Sequence, residues 1–229
     1  MQPGLVLENA SFRYGTIWVL LETSLRVSPG ETLLLTGENG VGKSTLLYLL
    51  GGLLPATSGR VLLDARAPSV TRPSELVRHG VRRGFVFQHG GLLANLTALD
   101  NVLLALRYHA DVLGLDDAGV AQRGREALRD LRVAQSDFHT LPAYLSFGVR
   151  QRVALARALA LDPNYVFLDD PDQGLDETTR QIVLDLLVRL RDERRITLVL
   201  TTTDPEVIAR LGVRVLELNQ GRLTSLQRA

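Results

Sequence analysis

The sequence predicts an α/β fold carrying an inserted helical lobe. Three observations lead there. An apolar run at residues 32–36 passes through a glycine-rich stretch into a second apolar run at 46–50, which reads as strand, loop, helix. From residue 99 to 161 apolar side chains recur at helical spacing. The last third returns to short alternating strands and helices, the pattern of a sheet covered by helices.

Taken in order, residues 5–12 and 20–27 alternate as strands, and Ser28-Pro29-Gly30-Glu31 turns the chain into the strand at 32–36. Tyr14, between Arg13 and Gly15, either packs or offers a platform for a purine base. Residues 42–53 read as a buried helix ended by Pro55 and the Thr57-Ser58-Gly59 turn. A strand at 61–64, a short helix at 73–79 and a buried strand at 84–87, ending at Gln88, follow. The lobe supplies helices at 99–108, 118–131 and 149–161. Then come strand 165–168, helix 178–191, strand 197–201, helix 205–210, strand 213–218 and a last strand turned by Gly221. There are no internal repeats or low-complexity runs.

Composition bounds the function. A chain of 229 residues, 45% apolar, can bury a sizeable core in one domain. A net charge of +1 gives no reason to expect nucleic acid. With no cysteine, disulfides, thiol catalysis and cysteine-ligated zinc are excluded, and His79, His89, His109 and His139 lack metal-ligand spacing. No apolar run approaches the ~20 residues that span a bilayer. The N-terminus shows no signal-peptide pattern. The expected location is therefore cytoplasmic, with any membrane role exerted through a partner.

The glycine stretch reads Gly37-Glu38-Asn39-Gly40-Val41-Gly42-Lys43-Ser44-Thr45. Between a strand and a helix, that spacing is a phosphate-binding loop. Backbone N–H groups turn around an anion, with the positive helix end behind them. Lys43 would reach the β- and γ-phosphates of a nucleotide, and the Ser44 hydroxyl would ligate Mg²⁺. Lys43 is the only lysine in the chain; every other basic side chain is arginine. A compact ammonium suits this position where a planar guanidinium does not.

Tyr165-Val166-Phe167-Leu168 ends in two carboxylates, Asp169 and Asp170. An acid at the end of a buried strand beside such a loop holds Mg²⁺ through water. The second acid can polarise the attacking water.

Leu145-Ser146-Phe147-Gly148-Val149-Arg150-Gln151-Arg152-Val153-Ala154-Leu155-Ala156-Arg157-Ala158-Leu159 opens a helix. Here the chain resembles the ATP-binding subunit of ABC transporters, whose signature is LSGGQ followed by a QRVALARAL-like helix. The resemblance covers essentially the whole chain, with the motifs in the family's order. It implies a P-loop NTPase fold: a RecA-like core with an antiparallel β subdomain (residues 1–91 and 159–229) and an inserted α-helical subdomain (92–158). It implies that Ser146 and Gly148 face the γ-phosphate held by an opposite subunit, so that each ATP is sandwiched between two chains. Tyr14 then matches the aromatic stacked on adenine. Gln88 matches the glutamine that touches Mg²⁺ and senses the membrane partner. Gln173-Gly174-Leu175-Asp176 matches the loop crossing the dimer interface, and Thr203 falls where the family has its switch histidine. The implied partners are a second ATP-binding subunit and an integral membrane permease, with this chain peripheral on the cytoplasmic face of the membrane.

Four positions depart from the family pattern, and all bear on hydrolysis. Asp170 replaces the catalytic glutamate and is shorter by one methylene, about 1.5 Å, on a scale to which proton transfer is sensitive. Thr203 replaces the histidine and is never cationic. Phe147 and Val149 replace a glycine and a glutamine of the signature. These departures predict ATP binding with slow turnover. They favour a heterodimer, in which a different ATPase would supply its own glutamate and histidine. Residues 87–102 resemble the corresponding stretch of the Mla/Mce lipid-trafficking branch, with Gly91 and Leu92 in place of its Ala-Leu, which points to phospholipid or other hydrophobic cargo. An ATP-sensing regulatory subunit and a soluble non-transport ABC ATPase are the competing readings. The latter class usually carries two ATPase domains or long coiled coils, and neither is present here.

Overall fold

The computed structural model describes residues 4–66, 73–193 and 196–226. Strands β1 (Leu5–Tyr14) and β2 (Ile17–Val27) form an antiparallel hairpin. The chain then enters a second sheet as β3 (Thr32–Thr36), runs through the glycine loop into helix α1 (Lys43–Leu50), and returns as β4 (Ser58–Leu63) to pair with β1. Helix α2 (Pro73–Arg78) and strand β5 (Arg83–Val86) follow. The lobe comprises α3 (Ala98–Tyr108), α4 (Ala110–Leu113), α5 (Asp117–Asp130) and α6 (Phe147–Leu159). The chain finishes as β6 (Tyr165–Asp169), α7 (Glu177–Glu193), β7 (Thr197–Thr201), α8 (Pro205–Leu211), β8 (Arg214–Asn219) and β9 (Arg222–Leu226).

The larger sheet has the order β5-β6-β7-β3-β8-β9, parallel except for β9. Its inner strands β3, β6 and β7 are buried on both faces, and alternate residues feed two different cores. Leu34, Val166, Leu168, Leu198 and Leu200 point to the face covered by α6, α7 and the lobe. Leu33, Leu35, Tyr165, Phe167 and Val199 point to the face covered by α1 and the three-stranded sheet. Sandwiched in this way, the parallel strands hold a fixed register, and that register positions the site. Leu35 pairs with Thr201, and Thr201 pairs with Asp169. The ends of three neighbouring strands therefore deliver the loop, Thr201 and Asp169 to one edge.

Element types agree with the sequence reading, and several ends differ for identifiable reasons. Helix α1 stops at Leu50 rather than residue 53. Gly52 takes a left-handed φ of 73°, its N–H donates to the Leu49 carbonyl (3.0 Å), and the Leu53 N–H donates to the Tyr48 carbonyl (2.8 Å). That is a Schellman ending, closed well before Pro55. Helix α6 begins two residues early because Ser146 caps it, accepting the Val149 N–H at 3.3 Å. The one-turn α4, ended by Gly114 in a left-handed conformation, lay outside the sequence reading.

Candidate functional site

The loop after β3 keeps its glycines for two reasons. A Cβ on Gly37 (φ 138°) would lie 2.5 Å from the Leu218 carbonyl oxygen, and one on Gly42 (φ 109°) would lie 2.3 Å from Val19 Cγ1. Both need a conformation and a clearance that only glycine provides. Gly42 caps α1 without a side-chain bond, and the first turn holds no acid. The leading N–H groups are thus left for an outside anion. Glu38, Asn39 and Gly40 are exposed, Val41 is half-buried, and Thr45 is buried. Lys43 is 6% exposed; its Nζ donates to the carbonyls of Gly37 (2.9 Å) and Glu38 (3.0 Å), which pins the ammonium across the loop. The Tyr14 ring packs edge-on against Phe12, and its hydroxyl lies 3.5 Å from Thr45 Oγ1, so a half-exposed aromatic stands beside the start of α1.

Behind the loop lies Asp169, 1% exposed and surrounded by hydroxyls. Ser44 Oγ donates to Oδ1 at 2.9 Å, Thr201 Oγ1 to Oδ1 at 2.8 Å and Tyr48 Oη to Oδ2 at 2.7 Å. Neutral donors compensate this buried charge, a task that otherwise falls to a cation. Because the Ser44 proton goes to Asp169, the lone pairs of its oxygen are left for a metal. Among the described residues no group of three or more His, Cys, Asp or Glu could cage an ion. One hydroxyl and one carboxylate, with the remaining ligands drawn from phosphate and water, is a donor set that fits Mg²⁺.

Asp170 follows with a left-handed φ of 44°, its N–H donating to Thr201 Oγ1 at 2.9 Å. Its carboxyl is half-buried and is pushed above the usual carboxylate range by burial and then by Asp169, against the opposing pull of Lys43 and Thr201. A raised carboxyl next to a phosphate loop is suited to accepting a proton. Thr203 is exposed, one residue past a buried polar pair: Thr202 Oγ1 donates to Asp172 Oδ2 at 3.3 Å, and Asp172 Oδ1 is buried without a partner among the described residues.

Gln88 joins this edge through Gln173: its Nε2 donates to Gln173 Oε1 at 2.8 Å. The segment after it is braced from within. Asn101, fully buried, accepts the Leu93 N–H and donates to the carbonyls of Leu93, Leu96 and Thr97, while Arg157 holds the carbonyls of Gly90 and Gly91. At the signature, a Cβ on Gly148 would lie 2.6 Å from Thr179 Oγ1, so α6 and α7 meet there almost without spacing. Phe147 is half-buried, its ring over Arg150 and beside Gly174.

The family model described as ABC transporter matches residues 20–173. The chain belongs to the ABC transporter family. It is 38% identical, over 96% of its length, to the sulfate/thiosulfate import ATP-binding protein CysA 1 of Chromobacterium violaceum, of which it spans 60%. It is 40% identical to the lipoprotein-releasing system ATP-binding protein LolD of Xanthomonas campestris pv. campestris, over 88% of this chain and 82% of that one. In structure it is similar to the dimeric, post-hydrolysis ATP-binding cassette MJ0796 bound to ADP and Pi: TM-score 0.87, 32% identity, 98% of this chain and 99% of that one. The fold is therefore an ABC cassette, a P-loop NTPase with mixed sheets and a helical subdomain.

Within this cassette, Thr201 and Tyr48 escaped the sequence reading. Tyr48 carried a signal. It lies four residues after Ser44 on α1, so the helical period places both on the face turned to Asp169. Thr201 is a strand-end residue whose role appears only once β6 and β7 are in register.

Proposed function

We propose that this chain is the ATP-binding subunit of an ABC transporter, coupling ATP binding and slow hydrolysis to movement of a substrate by a separate integral membrane permease. The observation that supports it most is the meeting of the open Gly37–Thr45 loop with the Ser44–Asp169–Thr201 cluster. On this reading Tyr14 stacks on adenine. The N–H groups of the loop and Lys43 receive the phosphates, and Ser44, Asp169 and Gln88 hold Mg²⁺. When bound, Mg²⁺ supplies charge neutralisation for the phosphates. Asp170 accepts the proton of the attacking water, and Ser146 with Gly148 closes the site from a second subunit. Such a wall is needed because Glu38, Asn39 and Gly40 leave the loop open to solvent. Titrating the purified protein with ATP in Mg²⁺ tests the reading: saturable binding that weakens by about tenfold or more in Lys43→Ala supports it, and binding equal in both proteins sinks it.

Slow turnover is part of the proposal. Asp170 and Thr203 stand at the two positions that complete the chemistry in the family, and Phe147 and Val149 alter the signature. A heterodimer with a second, complete ATPase fits these departures better than a homodimer. Native mass spectrometry of the complex showing two copies of this chain and no other ATPase would rule that out. The proposed placement is peripheral, on the cytoplasmic face of the membrane; among the described residues no helix is long and apolar enough to cross one. The permease would dock on the lobe near the braced segment, where Leu93, Leu104 and Tyr108 are exposed. Such docking fits the proposed division into a core with its β subdomain (1–91 and 159–229) and a helical subdomain (92–158). Phospholipid or other hydrophobic cargo is the favoured substrate class, supported by residues 87–102 and by the lipoprotein-releasing relatives; the CysA relatives favour sulfate or thiosulfate instead.

A further inference from the structure

Tyr48 is the one donor to Asp169 Oδ2 that the chemistry above does not use. Its hydroxyl reaches the carboxylate at 2.7 Å, while its ring lies 5.7 Å, centroid to centroid, from that of Phe87, the residue before Gln88. The three hydroxyls play different parts. Ser44 and Thr201 both bond Oδ1 and already fix the orientation of the carboxylate at the end of β6. Tyr48 occupies one lone-pair site of the other oxygen; with Ser44 and Thr201 on Oδ1, the second site of Oδ2 is the one left to receive a water from a cation's hydration shell. A carboxylate that is 1% exposed and lacks a donor on one oxygen is costly, so the Tyr48 contact stabilises the empty site most.

We propose that Tyr48 is a positioning residue that acts as a place-holder: its phenol satisfies Asp169 Oδ2 while the site lacks a metal, and by drawing on that oxygen's charge it weakens the bond Oδ2 would offer a metal's water once ATP and Mg²⁺ arrive. The site is thereby tuned to load only at adequate Mg²⁺. The inference rests on the proposed role of Asp169 in holding Mg²⁺.

Tyr48→Phe removes the hydroxyl and keeps the ring. Two measurements on the full chain decide the matter: the melting temperature in EDTA without nucleotide, and the Mg²⁺ concentration giving half-maximal binding of the non-hydrolysable analogue AMP-PNP. The expected result is a melting temperature lower by a few degrees, together with a Mg²⁺ midpoint lower by about three- to tenfold. A purely structural hydroxyl would lower stability and leave the midpoint alone; a midpoint unchanged within about twofold, or raised, overturns the proposal. Phe87→Leu, which alters the ring contact and spares the hydroxyl, should leave the midpoint in place. A shift equal to that of Tyr48→Phe would assign the effect to packing and also overturn it. If the unaltered protein binds AMP-PNP equally in EDTA and in Mg²⁺, the assignment of Asp169 itself falls, and that failure is distinct from the other two.

Discussion

Lys43 concentrates the chemistry of the site in one side chain. Almost wholly buried and tied to the Gly37 and Glu38 carbonyls, it carries a charge held ready for an anion without a carboxylate partner in the loop. Truncation to Ala removes charge-assisted bonds of about 1.5–3 kcal/mol. ATP binding should weaken by about 10- to 100-fold, as read by calorimetric titration. Lys43 was legible from sequence because its type and spacing are dictated by phosphate chemistry. Thr201 was not, because a threonine ending a strand acquires a role only through what the fold sets beside it; Tyr48 was legible only as a neighbour of Ser44 on one helix face. The left-handed backbone of Asp170 was equally invisible: it follows from the turn after β6 and aims a short side chain that the family pattern expects to be longer.

Among the elements, the strands were the most legible. The inner strands of the large sheet are buried on both faces, so their apolar runs stand out, and turn residues mark their limits. Helix ends were less so, since Gly52 and Ser146 close or open their helices through hydrogen bonds that periodicity does not carry. Close approaches between elements are invisible in sequence until a glycine is seen in place. On β5, a Cβ at Gly84 would lie 2.2 Å from the Ala158 carbonyl oxygen at the end of α6. Gly84→Ala should force α6 off the sheet and cost about 1–3 kcal/mol, measurable by urea unfolding. Helix α7 is capped by Asp176, whose carboxylate accepts the Thr179 N–H (3.0 Å) and hydroxyl (2.8 Å). Those two bonds hold its pKa below the ordinary value. A depressed carboxylate contributes stability that is complete above its unfolded pKa, about 4, and is lost as pH falls through the folded value. The melting-temperature gap between the protein and Asp176→Ala should be constant from pH 7 to 5 and close as pH falls below about 4.

For the whole molecule, the site is an edge where three strand ends meet, and one of its walls is proposed to come from another chain. The sequence carried this architecture because the loop, the paired acids and the signature helix occur in order, each tied to one element. It did not carry the partner's identity or the cargo, which depend on surfaces shaped by other chains. ATP with Mg²⁺ at about 100 times its dissociation constant should stabilise the fold by about 2.7 kcal/mol. In a domain of this size that is a rise of about 5–10 °C in melting temperature, shrinking when EDTA removes the metal. The central claim is that binding is intact while the chemical step is held back by Asp170 and Thr203. Its most direct test is ATP turnover at saturating MgATP, by the chain alone and with its partners, for the unaltered protein and for the double variant Asp170→Glu, Thr203→His. The expected result is saturable ATP binding with turnover below about 0.1 s⁻¹ for the unaltered chain, rising at least about tenfold in the double variant, within the range for a restored general base. Turnover by the unaltered chain at roughly tens per second, or a double variant no faster than its parent, would contradict it.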